Sequence, residues 1–421
     1  MPRKEKLYTA IDVGTTKVAT LAAKLSPSGA MEVVAIGYAS SMGMRKGLVV
    51  GAEELTESIR ESVRDASQML GKRLPPAFVG ITGAHLTCAN AASNLEFDNR
   101  PGAVTEADVD RVLESAVAGD GLDDRRRVVH VIPRAYLVDG TPGVRNPVGL
   151  SARRNLSVDS HVVVGDKGQL DNVARVVREA GVRVRGMILE HLASAEAVLT
   201  GDERQGGVVL VDIGGGTSDI AIYREGAVWY TSALPIAGHQ FTNDIAIGLG
   251  LSPTMAEEAK VKYGSALVEH GDHWRKVELQ GVDGGLPRTV SLDRVNRLLH
   301  DRAVELVRMV LAKVNEAGFK RMPMGGIVFT GGCSNLHGLV EVAQDYGKCP
   351  VRLGAPSANL GIPAELEDSK FATGVGLLLW GIRHRHAGAV ARDVTVSPLV
   401  QQRLRTWMAR LMFRGPTEAR A

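Results

Sequence analysis

Two segments far apart in the chain share one plan, and that duplication restricts the possible folds more than any other feature. Leu7 to Lys17 reads Leu-Tyr-Thr-Ala-Ile-Asp-Val-Gly-Thr-Thr-Lys, and Val208 to Asp219 reads Val-Val-Leu-Val-Asp-Ile-Gly-Gly-Gly-Thr-Ser-Asp. Each is a mostly apolar run ending in Asp-x-Gly, then small residues, then a second apolar run at Val18 to Leu25 or Ile220 to Tyr223. Two strand-length runs around a Gly-rich tip predict a β-hairpin. A third strand is expected after each, at Met31 to Gly37 and Ala227 to Leu234, followed by a helix. A duplicated three-stranded start predicts two like-folded halves facing each other.

Apolar residues recur at helical spacing in Glu53 to Leu70, Gln169 to Ala180, Phe241 to Leu249, Pro253 to Tyr263, Leu292 to Ala317 and Leu336 to Asp345. Strands are expected between them at Ala77 to Thr82, His161 to Gly165, Arg185 to Leu189 and Gly326 to Thr330. Strands alternating with helices make the class α/β. Two stretches break the alternation. His85 to Asp159 holds strands around one helix, Glu106 to Val117, and reads as an inserted subdomain; Gly264 to Pro287 is polar, Gly-rich and loop-like. At 421 residues the chain exceeds one simple core, and two or more domains are expected.

Glycines at a hairpin tip let backbone N–H groups approach phosphate oxygens, and Thr hydroxyls add donors. Gly14, Thr15, Thr16 and Lys17 occupy the first tip, and Gly214, Gly215, Gly216 and Thr217 the second. Asp12 and Asp212 would end adjacent strands if the halves face each other. Two carboxylates beside phosphates imply Mg²⁺, which keeps several waters and takes few protein ligands. A single Gly-rich turn is usually structural; two matched ones point to a nucleotide. A third such turn, Val328-Phe-Thr-Gly-Gly-Cys-Ser-Asn, places Gly331, Gly332 and Ser334 before a helix whose N-terminus can face an anion or a ribose. Taken alone it reads equally well as a tight strand-to-helix turn.

The overall balance excludes several classes. A net charge of +3 with 23% charged residues gives no concentrated basic face, so no nucleic acid is expected as partner. Arg125-Arg126-Arg127 reads as a solvated loop. Cys88, Cys333 and Cys349 lack metal-type spacing and suit a reducing compartment. The start, Met-Pro-Arg-Lys-Glu-Lys, has no apolar signal core. No apolar run approaches the roughly 20 residues that span a bilayer; Phe371 to Ile382 comes nearest and is too short.

The last segment is different. After a linker at 383–397, Pro398 to Arg414 places Val400, Leu404, Trp407, Met408 and Leu411 on one helical stripe, flanked by Arg403, Arg405, Arg410 and Arg414. From Pro398 to Ala421 there are five Arg and one Glu, hence 5 − 1 = +4. Such a helix suits the surface of an anionic bilayer, or else docks on the protein's own core.

These residues resemble the actin–Hsp70–hexokinase superfamily of ATP-binding proteins. Asp12 to Lys17 is similar to its first phosphate loop, Asp212 to Asp219 to the second, and Thr330 to Ser334 to the adenosine loop. Leu189 to Val198 and Phe371 to Gly376 resemble the two connecting segments. Within the superfamily the chain is similar to the bacterial cell-division family FtsA, on Gly43-Met-Arg-Lys-Gly-Leu-Val-Val50, Thr242-Asn-Asp-Ile-Ala-Ile-Gly-Leu249 and Glu257-Glu-Ala-Lys-Val-Lys-Tyr-Gly264. The resemblance runs from about Leu7 to Ile382 and resumes at the terminal helix, which moves the reading of that helix to the membrane.

The resemblance implies an actin-like two-lobed fold with duplicated ribonuclease-H-like cores. Subdomain 1A would be 7–84 and 160–195, an SHS2-type 1C insert 85–159, 2A 196–235 and 325–382, and 2B 236–324. It implies ATP with Mg²⁺ and at most slow hydrolysis. Asp12 and Asp212 would organise the metal, with Asp212 and Glu190 catalytic. Gly238, Glu257 and Lys260 would join the tips and the adenosine loop around the nucleotide. It also implies filaments of the chain itself on the cytoplasmic face of the cell membrane at the division septum. Leu404, Trp407, Met408, Leu411, Arg403 and Arg410 would hold anionic lipids there. The FtsZ tail would dock at Arg302 and Glu305, and later division proteins would be recruited. The chain departs from the family at His191, where Pro is usual, at Ala237 before Gly238, and at Gly51, where Asp is common. The alternatives are a small-molecule kinase of the superfamily and another actin-like scaffold of rod-shape or pilus type.

Overall fold

Both expected hairpins form. Leu7–Val13 pairs antiparallel with Lys17–Leu25, from Leu7 opposite Lys24 to Val13 opposite Val18. Val208–Ile213 pairs with Ser218–Arg224, from Val208 opposite Tyr223 to Ile213 opposite Ser218. The strands are buried on both faces, which is why they read as continuous apolar runs rather than alternating ones. The tips close alike: the Gly14 N–H donates to the Lys17 carbonyl at 3.0 Å and the Gly214 N–H to the Thr217 carbonyl at 3.0 Å.

The computed structural model describes residues 6–26, 29–97, 102–117, 124–269, 274–280 and 286–384. The membrane-facing helix expected at 398–414, and with it Arg403, Leu404, Trp407, Met408, Arg410 and Leu411, lies outside the described residues, as does all but the first two residues of the linker.

Each hairpin is the middle of a five-stranded sheet, and the two sheets have the same strand order. The first runs Val184–Leu189, Ala77–Ile81, Leu7–Val13, Lys17–Leu25, Met31–Ser40. The second runs Val351–Leu353, Ile327–Thr330, Val208–Ile213, Ser218–Arg224, Ala227–Leu234. In each, the first three strands are parallel and the hairpin turns back antiparallel. Parallel neighbours need long crossovers. In the first sheet Ala52–Leu70 supplies one, and its buried Ser62 hydroxyl donates to the Gly37 carbonyl at 3.0 Å. In the second the crossover contains Gly238–Leu249, Pro253–Lys262 and Leu292–Glu316. The last of these buries Val295, Leu299, Ala303, Leu306, Val310 and Val314, the stripe that its helical spacing predicts.

Two further helices, Glu190–Val198 and Ala372–Arg383, are the connecting segments expected from the resemblance. Both are buried almost all round, so no amphipathic period marks them. The apolar run at Phe371 to Ile382 is thereby explained: Val375, Leu377 and Leu378 pack with Tyr8, Leu21 and Phe78 in one core. No described helix is long and apolar enough to cross a membrane.

The described chain divides into two compact units. One comprises the residues up to Ala84, Asn172–Gly226 and Thr231 onward; the other comprises His85–Asp171 with Ala227–Tyr230. Within the second, Thr141–Val144, Arg126–Val138, Asn155–Asp166 and Leu86–Glu96 form a four-stranded antiparallel sheet. Its helix, Glu106–Ser115, begins with a capping box in which the Thr105 hydroxyl accepts from the Asp108 N–H and the Asp108 carboxylate accepts from the Thr105 N–H. Val112 from that helix packs with Tyr136, Leu156 and Val158.

Two expectations need correction. Gly264 to Pro287 is not all loop, because Lys276–Leu279 pairs with Arg288–Ser291. Only Leu279 and Val290 of that ribbon are buried, so its sequence lacks the alternation that reveals a strand. Gly331-Gly332 does not lead straight into a helix either. A 3₁₀ turn, Gly332–Asn335, intervenes, and the helix begins at Leu339 after Gly338, whose φ of 80° suits glycine.

Candidate functional site

The hairpin tips meet. A Cβ built on Gly215 would lie 2.5 Å from Thr16 Cγ2, and one on Gly216 would lie 2.6 Å from Thr15 Oγ1. Only glycine allows that approach. The second tip is braced from behind, where the Gly238 N–H donates to the Gly214 carbonyl at 3.0 Å and the His239 N–H to the Gly215 carbonyl at 2.8 Å.

Asp12 and Asp212 do not end neighbouring strands of one sheet; each ends the central strand of its own. Both are buried. Lys17 Nζ lies 3.1 Å from Asp12 Oδ2 and 4.7 Å from the Phe371 ring centroid. Asp212 Oδ2 accepts from the Ser194 hydroxyl and from Thr373 Oγ1 at 3.2 Å. Burial nonetheless pushes Asp212 up to about 6, with Asp12 adding to the rise. Asp219, opposite Asp212 in the hairpin register, accepts from Thr217 Oγ1 at 3.0 Å. Burial and the Asp212 charge push it up to about 7. Glu190 opens its helix with Oε1 buried and without a hydrogen-bond partner. Its carboxyl is held well above the usual range by burial, then by Asp12, Asp219 and Asp212, with Lys17 opposing. Four acids thus crowd one water-poor centre. Among the described residues no group of three or more His, Cys, Asp or Glu side chains is arranged to hold a metal ion directly. Carboxylates at the strand ends beside Gly-rich tips are the donor chemistry that a hydrated divalent cation takes, through few direct ligands and several waters.

Beyond the second tip lies a cavity of about 570 Å³, lined in part by Lys260, Tyr263, Asn296, Gly332, Cys333 and Lys370. Its size suits a small organic ligand. Lys260 Nζ donates to the Gly238 carbonyl at 3.2 Å, Thr242 Oγ1 at 2.9 Å and Glu257 Oε2 at 2.7 Å. Glu257 stands behind Lys260 instead of on the cavity wall, and its Oε2 also accepts from the Thr242 hydroxyl. Ser334 is buried and donates to the Gly331 carbonyl at 2.6 Å, so it braces the turn. The Gly331 N–H donates to the Ser369 carbonyl at 3.2 Å.

Arg302 is clamped. Its Nε and Nη2 donate to Asp244 at 2.6 and 2.8 Å, and Nη1 donates to Glu305. Beside it a groove of about 330 Å³ is lined by Asp244, Ile247, Gly248, Leu298, Arg302 and Glu305. Ile247 is 83% exposed there, a large apolar side chain beside a fixed charge.

Sequence reasoning missed Asp219, Thr82, Ser194, Thr373 and Asp244. Asp219 was findable, because hairpin register alone sets it opposite Asp212. Thr82 lies 3.3 Å from Thr217 across the cleft, and only the folded chain shows this. Ser194 and Thr373 lie in helices with no readable face.

The family model described as "Cell division protein FtsA" matches residues 209–376, and that described as "SHS2 domain inserted in FTSA" matches residues 83–164. The chain is 38% identical to Cell division protein FtsA of Pseudomonas aeruginosa over 411 residues, covering 96% of this chain and 97% of the relative. It is 33% identical to that of Escherichia coli (strain K12) over 413 residues, again 96% and 97%. Among solved structures, a chain of the PilM–PilN type IV pilus biogenesis complex superposes with a TM-score of 0.64 at 16% identity, covering 90% of this chain and 99% of that one. MreB 5 of Spiroplasma citri bound to AMPPNP gives 0.53 at 14%, covering 92% and 98%. The two structures establish an actin-like fold and no more. The near full-length identity to curated relatives establishes more: the chain belongs to the FtsA family of cell-division proteins.

Proposed function

We propose that the protein binds ATP with Mg²⁺ between the two hairpin tips and assembles with copies of itself on the cytoplasmic face of the cell membrane. There it anchors FtsZ, helps assemble the Z ring at the septum and recruits later division proteins. The observation that carries the nucleotide reading is the meeting of two Gly-rich tips beside three buried acids, Asp12, Asp212 and Asp219, and beside Glu190, whose Oε1 is buried with no hydrogen-bond partner. Backbone N–H groups of Gly215 and Gly216, with Thr15, Thr16, Lys17 and Thr217, would cradle phosphates, while Gly14 and Gly214, whose N–H groups close the two tips, would shape the turns. Asp12 and Asp212 would hold waters of the metal. When bound, Mg²⁺ supplies charge compensation to the phosphates. The cavity walled by Gly332 and Lys260 would take the nucleoside, with Glu257 fixing Lys260 and with Gly331 and Ser334 shaping the turn.

Glu190 would orient and accept a proton from an attacking water. Burial, with Asp12, Asp219 and Asp212 nearby, raises its proton affinity, the direction that favours taking a proton from water. Turnover is expected to be slow, with ATP serving mainly to bias assembly. In subdomain terms, 7–84 with 172–195 and 196–235 with 325–382 would be the two cores and 236–324 the 2B lobe, with the 1C insert running from 85 to 171 rather than ending at 159, because Asn155–Asp166 is one strand of the insert's sheet. The FtsZ tail would dock at Arg302 and Glu305, its acidic groups competing with Asp244 for the guanidinium and its apolar ones meeting Ile247. The helix at 398–414 would lie in the anionic leaflet.

The nucleotide reading is tested with Asp212→Ala and a fluorescent ATP analogue. Binding in Mg²⁺ should be lost or reduced at least tenfold, and unchanged affinity would refute it.

A further inference from the structure

The two connecting helices converge on one carboxylate. Ser194 comes from Glu190–Val198 and Thr373 from Ala372–Arg383, elements far apart in sequence. Both hydroxyls donate to the same atom, Asp212 Oδ2, and lie 3.0 Å from each other. All three side chains are buried. The helices cross in backbone contact at this level: a Cβ on Gly376 would collide with the Ala193 carbonyl, next to Ser194. A second tie lies two residues on in the first helix, where buried Glu196 accepts from Arg204 at 2.8 Å and from Arg383. Of the residues in this arrangement, Asp212 is the one that lies on a hairpin strand, two residues before its tip.

Neither hydroxyl is needed to fill space. Alanine or valine would suit a buried helix crossing better, since a buried hydroxyl without a partner carries a desolvation cost. The partner both have is Asp212. Resting on the reading that the cleft takes Mg²⁺·nucleotide, we propose that Ser194 and Thr373 are positioning residues: they aim Asp212 for the hydrated metal and link both connecting helices to its occupancy. Loading the cleft then fixes Asp212, and Asp212 fixes the crossing. Partners of this kind, which hold the ligands of a metal, change its affinity about 10–100-fold when removed.

The test uses the full chain and three variants: Ser194→Ala, Thr373→Val, which keeps volume and loses the donor, and Thr373→Ser, which keeps the donor. A fluorescent ATP analogue is titrated in Mg²⁺ and in EDTA. Hydrogen exchange is followed in peptides covering 190–198 and 372–383, with and without Mg²⁺·nucleotide. The parent should bind more tightly in Mg²⁺ and show slowed exchange in both helices on loading. Ser194→Ala and Thr373→Val should lose about tenfold of the Mg²⁺ advantage and the slowing in both helices, with affinity in EDTA unchanged. Thr373→Ser should restore both readouts. A Mg²⁺ advantage and exchange response equal to the parent's in Thr373→Val overturns the inference while leaving the nucleotide reading intact. A parent that binds no nucleotide overturns both. If Ser194→Ala fails to fold, Thr373→Val decides alone.

Discussion

Asp212 is where the structure sets function against stability, and Asp212→Asn separates the two. The carboxyl is 6% exposed and titrates near 6 in the folded protein, against an ordinary 3.8. An acid with a raised folded pKa contributes its full relative stability below the unfolded pKa, and that contribution is lost as pH rises through the folded value. For Asp212 the window runs from 3.8 to about 6. Holding it ionised at about pH 7.5 therefore costs the ligand-free protein about 3 kcal/mol. Asparagine keeps the shape and cannot ionise. Its NH₂ group, left without an acceptor, costs about 1–2 kcal/mol in turn. The variant is expected to be more stable than the parent by about 1–2 kcal/mol near pH 7.5. Near pH 4.5, where most of the parent's penalty is gone, that gain should shrink by about 2 kcal/mol and vanish. Urea unfolding without ligand, monitored by circular dichroism at both pH values, measures this. The same variant should fail to bind Mg²⁺·ATP. Equal destabilisation at both pH values would refute the reasoning, because it would mean that Asp212 is an ordinary satisfied carboxylate.

Three other substitutions probe separate parts. Arg302→Glu puts a third acid beside Asp244 and Glu305; it should weaken binding of an FtsZ tail peptide at least tenfold by fluorescence anisotropy and leave ATP binding unchanged, and equal peptide affinity would remove Arg302 from the docking site. Gly216→Val drives a branched side chain into Thr15 and the Lys46 backbone; it should abolish nucleotide binding while circular dichroism stays native, and parent-like nucleotide affinity would place the phosphates elsewhere. Trp407→Glu should release the protein from anionic vesicles, and raised salt should weaken the parent only in part, since screening removes the arginine attraction and leaves apolar burial at roughly 1.5–3 kcal/mol per large side chain. A parent that ignores vesicles, with a Trp407→Glu variant that unfolds, would assign that helix to the protein's own core.

How legible was this in the sequence? The two sheets were, because strands buried on both faces leave long apolar runs, and Asp-x-Gly before small residues marks the tip of each hairpin. The amphipathic crossover helices were, because Leu292–Glu316 buries one stripe and leaves the other faces polar. The connecting helices were not legible from period, since Glu190–Val198 and Ala372–Arg383 have no solvent face; only resemblance marked them. The tip glycines could be named, but not that Thr15 and Thr16 press against Gly216 and Gly215. Charge partnerships were the least visible. Arg302 and Glu305 are three apart and easily paired on paper, yet the bidentate partner is Asp244, on another helix. The ribbon Lys276–Leu279 with Arg288–Ser291 escaped because two buried residues make no pattern.

The central claim joins nucleotide, FtsZ and membrane in one chain, and one sedimentation assay addresses all three. Full-length protein and a chain ending at Ser397 are each spun with anionic liposomes, with and without Mg²⁺·ATP, and with and without FtsZ. The account predicts that full-length protein pellets with liposomes, carries FtsZ down with it and does so more extensively in Mg²⁺·ATP, while the shortened chain leaves both proteins in the supernatant. Co-pelleting of FtsZ with the shortened chain, or full-length protein that pellets without bringing FtsZ, would contradict it.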